Sequence, residues 1–178
     1  VDFDELRQTI PSHIKVIEDA ACAAGAMYKN SFAGSLGDIA AFSFHPRKTI
    51  TTGEGGMITT NNKNYFDHIQ TLRNHGASVS EEERHLGPKP YILPDFKVLG
   101  FNYRMTDLQG AFGSVQLKKL NSFISERSKY AQYYKKQFKE IDWIKCPDEP
   151  SIGRHAWQAY VLLIDKTKIS MDTNDIME

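Results

Sequence analysis

The sequence predicts an α/β fold of stacked layers, and three observations carry that reading. Short runs of apolar and β-branched residues recur at 15–19, 39–44, 56–60 and 159–164. Helical stretches at 62–74 and 106–139 alternate with them. A turn too rich in glycine for a helix, Thr51-Thr52-Gly53-Glu54-Gly55-Gly56, joins two of the strands. Short β-rich runs separated by helical ones are what a layered α/β domain requires.

Composition narrows the class further. The 178 residues hold 22 Lys+Arg and 22 Asp+Glu, so the formal charge is zero. That balance argues against a nucleic-acid binder dependent on a basic surface. With 40% hydrophobic and 25% charged residues, the chain has the make-up of an ordinary soluble protein able to bury a core without staples. Cys22 and Cys146 form neither a disulfide framework nor a CxxC pair, so a reducing, cytoplasmic setting is expected. No apolar run approaches the ~20 residues of a membrane span. The acidic start, Val1-Asp2-Phe3-Asp4-Glu5, reads neither as a signal peptide nor as a natural beginning.

In chain order, residues 4–15 read as a short helix broken at Pro11. The run Lys15-Val16-Ile17-Glu18-Asp19 suits a buried strand ending at Asp19. A small-residue segment, 20–26, follows, where backbone or ligand can approach closely. Asn61 or Asn62 caps a helix reaching Asn74, with Gly76 just past its end. Phe66, Ile69 and Leu72 give that helix one buried stripe. Glu81-Glu82-Glu83, Pro88, Pro90 and Pro94 make 78–99 a long exposed loop, a candidate for substrate contact. In the long helix, Leu108, Phe112, Val115, Leu120, Ile124, Tyr134 and Phe138 share a face, while Gly110 and Gly113 weaken its first turns or permit close packing. A late strand is expected at 159–164.

Chemistry concentrates around 43–56. Lys48 follows a strand and precedes a glycine turn, so it falls at the carboxyl edge of a sheet, where open α/β sheets bind ligands. A partly desolvated amine there can act as a nucleophile and form a Schiff base; the plain alternative is a solvated surface lysine. Asp19 stands at the equivalent edge of another strand, either to pair with a cationic ring nitrogen or to cap the turn at Ala20. Ser43 can donate to a phosphate or bond its neighbouring backbone. Cys22 reads as a small buried hydrophobe. The scattered His45, His75 and His155 have no paired metal spacing, and the glycine run is neither a Walker A loop nor GxGxxG.

Four blocks in order carry a resemblance: Val16-Ile17-Glu18-Asp19-Ala20-Ala21; Gly34-Ser35-Leu36-Gly37-Asp38; Phe42-Ser43-Phe44 with Lys48-Thr49-Ile50-Thr51-Thr52-Gly53-Glu54-Gly55-Gly56; and Gly100-Phe101-Asn102-Tyr103-Arg104-Met105-Thr106. Together they resemble the DegT/StrS family of pyridoxal-phosphate-dependent nucleotide-sugar aminotransferases. The resemblance implies the type I aminotransferase fold, with a mainly parallel sheet flanked by helices. Residues 1–120 would belong to the cofactor-binding large domain, and 121–178 to a linking helix and the start of a small C-terminal domain. Family members are longer, and the sequence reads as part of a larger enzyme.

By motif position, the resemblance implies that Lys48 holds pyridoxal phosphate, Asp19 faces its ring nitrogen and Ser43 binds its phosphate. Asn102 would reach the cofactor phosphate of a neighbouring subunit in a homodimer with shared active sites. Cys22 stands near the ring, where members often carry Gln, His or Glu. Related sugar dehydratases have histidine in place of the lysine, so Lys48 favours transamination. The implied reaction turns a nucleotide-linked keto-sugar into an amino-sugar for surface polysaccharide, with glutamate as donor. The other readings are a noncatalytic regulatory or interaction protein and an inactive remnant, both retaining the fold.

Overall fold

The computed structural model describes residues 1–79, 81–91 and 93–177. Ser80 and Ile92, within the segment expected as a long loop, and Glu178 lie outside the described residues. The element order is α1 (Phe3–Thr9), β1 (Ile17–Asp19), β2 (Met27–Tyr28), β3 (Ser31–Phe32), β4 (Ile39–Ser43), β5 (Gly56–Thr59), α2 (Lys63–Arg73), α3 (Glu81–Leu86), α4 (Asp107–Gln137), β6 (Ile144–Lys145), β7 (Gly153–Arg154), β8 (Leu163–Ile164) and α5 (Thr173–Met177).

Helix α1 starts at Asp2, whose carboxylate accepts from the Asp4 and Glu5 amides. It ends at Thr9 because Pro11 forces the preceding Ile10 into an extended conformation. The central sheet has the order β1-β4-β5. Strands β1 and β4 are parallel, with Asp19 opposite Ala41, while β5 returns antiparallel with Gly56 opposite Ser43. Within these residues the expected parallel pairing is therefore the β1–β4 pair. The loop at 44–55 holds no crossover helix, so it brings the chain straight back beside β4.

Two carboxylates set the β1–β4 register. Glu18 accepts from the amides of Gly34, Leu36 and Gly37 at 2.7–2.8 Å. Asp38 reaches the other way and accepts from the Val16 amide at 2.9 Å, with Arg7 and Lys15 alongside. A one-residue slip would break both and turn every side chain of β1 to the opposite face. The expected burial of this strand is not what the structure shows: Ile17 and Asp19 are exposed and Glu18 is half-buried. Among the described residues β1 is an edge strand, paired on one side alone.

Two small antiparallel sheets, β3-β2-β7 and β6-β8, join distant parts of the chain. Two-residue strands carry no readable alternation, which is why none of β2, β3, β6 or β7 is legible in the sequence. The strand expected at 159–164 shortens to Leu163–Ile164, paired with β6. The segment expected as a loop over 78–99 contains α3, and its ends are tied where Ser78 and Asp95 exchange hydrogen bonds.

Helix α2 is capped by Asn62, which accepts from the Asn64 and Tyr65 amides, and stops before Gly76 at φ +78°. Its expected stripe is partly covered: Ile69 and Leu72 are half-buried, Phe66 is exposed. Helix α4 opens on a capping box between Thr106 and Gln109. Its apolar face is covered only around Ile124 and Ala131, while Leu108, Phe112 and Val115 stay exposed. Gly113 permits close packing, since a Cβ there would lie 2.8 Å from Thr52 Cγ2; at Gly110 the space is open. Among the described residues, no helix is long and apolar enough to cross a membrane. Among the same residues, no three His, Cys, Asp or Glu side chains gather as a metal site.

Candidate active site

The site starts from the parallel β1–β4 pair. Because the strands run the same way, Asp19 and Ser43 both emerge at the carboxyl edge of the sheet. Ala20 continues the ladder by donating to Ala41 O at 2.9 Å. Asp19 is exposed, and its Oδ1 accepts from the Ala21 amide at 3.1 Å, so it does cap the turn. That bond uses one oxygen; the second makes no hydrogen bond among the described residues. Ser43 Oγ accepts weakly from the His45 amide at 3.4 Å, and its proton has no acceptor among the described residues.

Lys48 is placed by a closed loop. Phe44 pins both ends, donating to Gly55 O at 2.8 Å and accepting from the Thr52 amide at 3.0 Å. Inside it, the Lys48 amide bonds His45 O at 2.9 Å and the Arg47 amide bonds His45 Nδ1 at 3.2 Å. Gly53 and Gly55, at φ +81° and +145°, let the chain turn back into β5. The Lys48 ammonium belongs to none of the ion pairs found among the described residues. It rests instead 3.0 Å from Cys22 Sγ.

Cys22 corrects the sequence reading. It is not a buried hydrophobe but exposed, at the turn after β1. The structure therefore gathers Asp19, Cys22, Ser43 and Lys48 at one edge of the sheet. Asn102 stands elsewhere, bridged to Asn74 on a polar cleft of about 900 Å³ that none of those four lines. Arg73 and Arg104 also line this cleft, and Arg104 donates to Asn74 Oδ1 at 2.6 Å. An apolar cavity of about 550 Å³, with Phe42, Phe44, Met57, Met105 and Leu117 in its walls, opens between the sheet and α4. It holds none of the five candidates. Sequence reasoning also missed Gln158, which reaches the lysine loop from far along the chain, where no local motif marks it.

Comparison with known proteins gives this arrangement a context. The sequence model of the DegT/DnrJ/EryC1/StrS aminotransferase family matches residues 1–178. The chain belongs to this family. It is 36% identical over 163 residues to a GDP-perosamine synthase of Caulobacter vibrioides, covering 90% of this chain and 41% of that protein. It is 37% identical over 161 residues to a UDP-4-amino-4,6-dideoxy-N-acetyl-beta-L-altrosamine transaminase of Campylobacter jejuni, covering 88% and 40%. A solved GDP-4-keto-6-deoxymannose-3-dehydratase variant with bound GDP-perosamine superposes with a TM-score of 0.84 at 29% identity, over 99% of this chain and 47% of that one. The chain thus spans less than half the length of these relatives.

Pyridoxal phosphate is the cofactor that this family membership assigns. The residues present fit it. They offer an amine without a carboxylate partner, a carboxylate with a free oxygen at the adjacent strand end, and a hydroxyl with a free proton. Those are the nucleophile, the acceptor and the donor that an aldehyde, a protonated ring nitrogen and a phosphate would need.

Proposed function

We propose that this chain supplies the lysine-bearing half of an aminotransferase that converts a nucleotide-linked keto-sugar to an amino-sugar, with glutamate as donor. One observation carries the reading: Lys48, Asp19 and Ser43 meet at the carboxyl edge of one parallel strand pair. The nucleotide-linked amino-sugars in the relatives' names support the substrate class.

Bound pyridoxal phosphate supplies an electron sink that lets a proton leave the carbon bearing the transferred nitrogen. Lys48 anchors the cofactor through its amine and, once released, carries that proton as base and then acid. Asp19 holds a proton on the ring nitrogen by placing a negative charge beside it. Ser43 donates its hydroxyl proton to the phosphate. Cys22, against the Lys48 amine, would stand near the cofactor ring. Asn102, on its separate cleft, serves a neighbouring subunit's cofactor in a cytoplasmic homodimer. Residues 1–120 contribute to the large domain, and 121–178 provide the linking helix and the beginning of the smaller one.

The test is chemical trapping. The protein is mixed with pyridoxal phosphate, reduced with borohydride and mapped by mass spectrometry. A single label on Lys48 supports the reading, and transfer from glutamate to a nucleotide-linked keto-sugar then tests the reaction. Labels scattered over surface lysines, in a chain of full relative length, would sink it.

A further inference from the structure

Lys48 lies between two residues that one distant side chain holds. Gln158 Nε2 donates to Arg47 O at 2.6 Å, and Gln158 Oε1 accepts from Thr49 Oγ1 at 2.9 Å. The amide thus uses a donor and its acceptor to clamp the residue before and the residue after the lysine, across 111 and 109 positions of sequence. Thr49 is buried, so its hydroxyl has little water to fall back on.

The clamp is itself anchored. Arg127 on α4 donates to Trp157 O at 2.7 Å and Gln158 O at 3.3 Å. Trp157 takes a left-handed backbone, φ +49°, in which a bulky side chain is rare. The His155 ring holds it there by accepting from the Trp157 amide at 2.8 Å. Trp157 is also buried, at 7% exposure. A conformation so unfavourable persists only where the surroundings impose it, and such strain gathers at working sites. Here it turns the chain so that Gln158 faces the lysine loop.

We infer that Gln158 is a positioning residue for Lys48, fixing the loop from the C-terminal part of the chain so that the amine meets the cofactor at the correct distance and angle. The inference rests on the functional reading above. Bonds to His45 and Phe44 shape the loop from within, and Gln109 holds it at Glu54 O, but none of these reaches Arg47 O or Thr49. Gln158 holds both. It touches neither Asp19 nor Ser43, so its removal misplaces the amine and leaves the rest of the cofactor site intact.

The test uses the cofactor-loaded protein, four single variants (Gln158→Ala, Gln158→Glu, Thr49→Val and Thr49→Ser) and the Gln158→Ala/Thr49→Val double. The readouts are the yield of borohydride-trapped cofactor on Lys48, the thermal midpoint, and kcat against the KM of the keto-sugar. Gln158→Ala and Thr49→Val should each lower trapping and kcat by about tenfold, toward the roughly hundredfold that a 1 Å misplacement costs. KM should stay unchanged. Gln158→Glu keeps the acceptor for Thr49 but loses the donor to Arg47 O, so it should fall with them. Thr49→Ser keeps the hydroxyl and should behave as wild type. The Gln158→Ala/Thr49→Val pair should be non-additive, because both remove one clamp. Should Gln158→Ala melt early, Gln158→Glu and Thr49→Val decide the matter. Wild-type trapping and kcat in those variants overturn the inference while leaving Lys48 as the anchor. Failure of the unaltered protein to trap cofactor on Lys48 overturns the functional reading as well.

Discussion

Lys48 Nζ and Cys22 Sγ lie 3.0 Å apart, although 26 positions separate them in sequence. The contact joins the loop after β4 to the turn after β1, the two segments that flank the candidate cofactor site. A cofactor bonded to the Lys48 amine would have to be accommodated beside the exposed Cys22 thiol. Loading with pyridoxal phosphate should therefore slow alkylation of Cys22 several-fold. Cys146, half-buried and far along the chain, is the internal control. Peptide mapping after iodoacetamide reads both thiols at once, and equal rates at Cys22 with and without cofactor would remove it from the site.

The task proposed for Lys48 is chemical, and its structural one is small. Apart from Cys22 its ammonium has no partner among the described residues, and its backbone bond to His45 O survives truncation. Lys48→Ala should leave stability within about 0.5 kcal/mol of the parent. The same variant should lose all borohydride-trapped cofactor and fall to background transamination. A large drop in the denaturant midpoint would show instead that the lysine is part of the framework.

Glu18 presents the opposite case. Its carboxylate satisfies three backbone amides of the 34–37 turn, and removing it leaves those donors unpaired in a half-buried loop. Glu18→Ala should cost about 2–3 kcal/mol in urea unfolding. Glu18→Gln, whose amide oxygen still accepts, should cost less. Equal losses for both would mean that charge, not hydrogen bonding, holds the turn.

Asp38 gives the fold an acid limb. The Val16 amide, followed by Arg7 and Lys15, holds its carboxyl below the ordinary carboxylate value. A depressed native pKa contributes stability that is complete above the unfolded-state value of about 3.9 and is lost as pH falls through the lower native one. Asp38→Asn removes that dependence. Melting curves of the two proteins should differ most above the unfolded-state value and draw together as pH falls below it. Parallel curves over the whole range would count against the assignment.

What could be read from the sequence follows a physical rule. The places of Asp19 and Ser43 at strand ends, and of Lys48 in the loop after β4, were legible because each lies beside a glycine or small-residue turn, a local pattern. The cap at Asn62, one of the two asparagines expected there, was legible for the same reason. Cys22 was misjudged, since an Ala-rich neighbourhood looks buried until the edge position of β1 exposes it. The paired strands β2 and β7 left no trace, because two residues cannot show a period. Gln158 was invisible for a different reason: its meaning lies in two hydrogen bonds to Arg47 and Thr49, and nothing near residue 158 announces them.

Helix α4 allows one substitution to be tried twice with opposite results. Gly110 and Gly113 both sit in its first turns, where glycine costs about 0.5–1 kcal/mol relative to alanine. A Cβ at Gly110 meets nothing within 4 Å, so Gly110→Ala should stabilise by about that amount. A Cβ at Gly113 would lie 2.8 Å from Thr52 Cγ2. Thr52 cannot yield easily: it is buried, β-branched, and its hydroxyl donates to Glu54 O at 2.7 Å. Thr52 also belongs to the loop that carries Lys48, so the clash pushes on the site. Gly113→Ala should therefore destabilise by about 1–3 kcal/mol, as overpacking does, and lower the trapping of cofactor on Lys48. Gly110→Ala should leave trapping unchanged. Both effects are read by thermal unfolding and peptide mapping of the same two samples, and a stabilising Gly113→Ala would show that α4 does not press on the lysine loop.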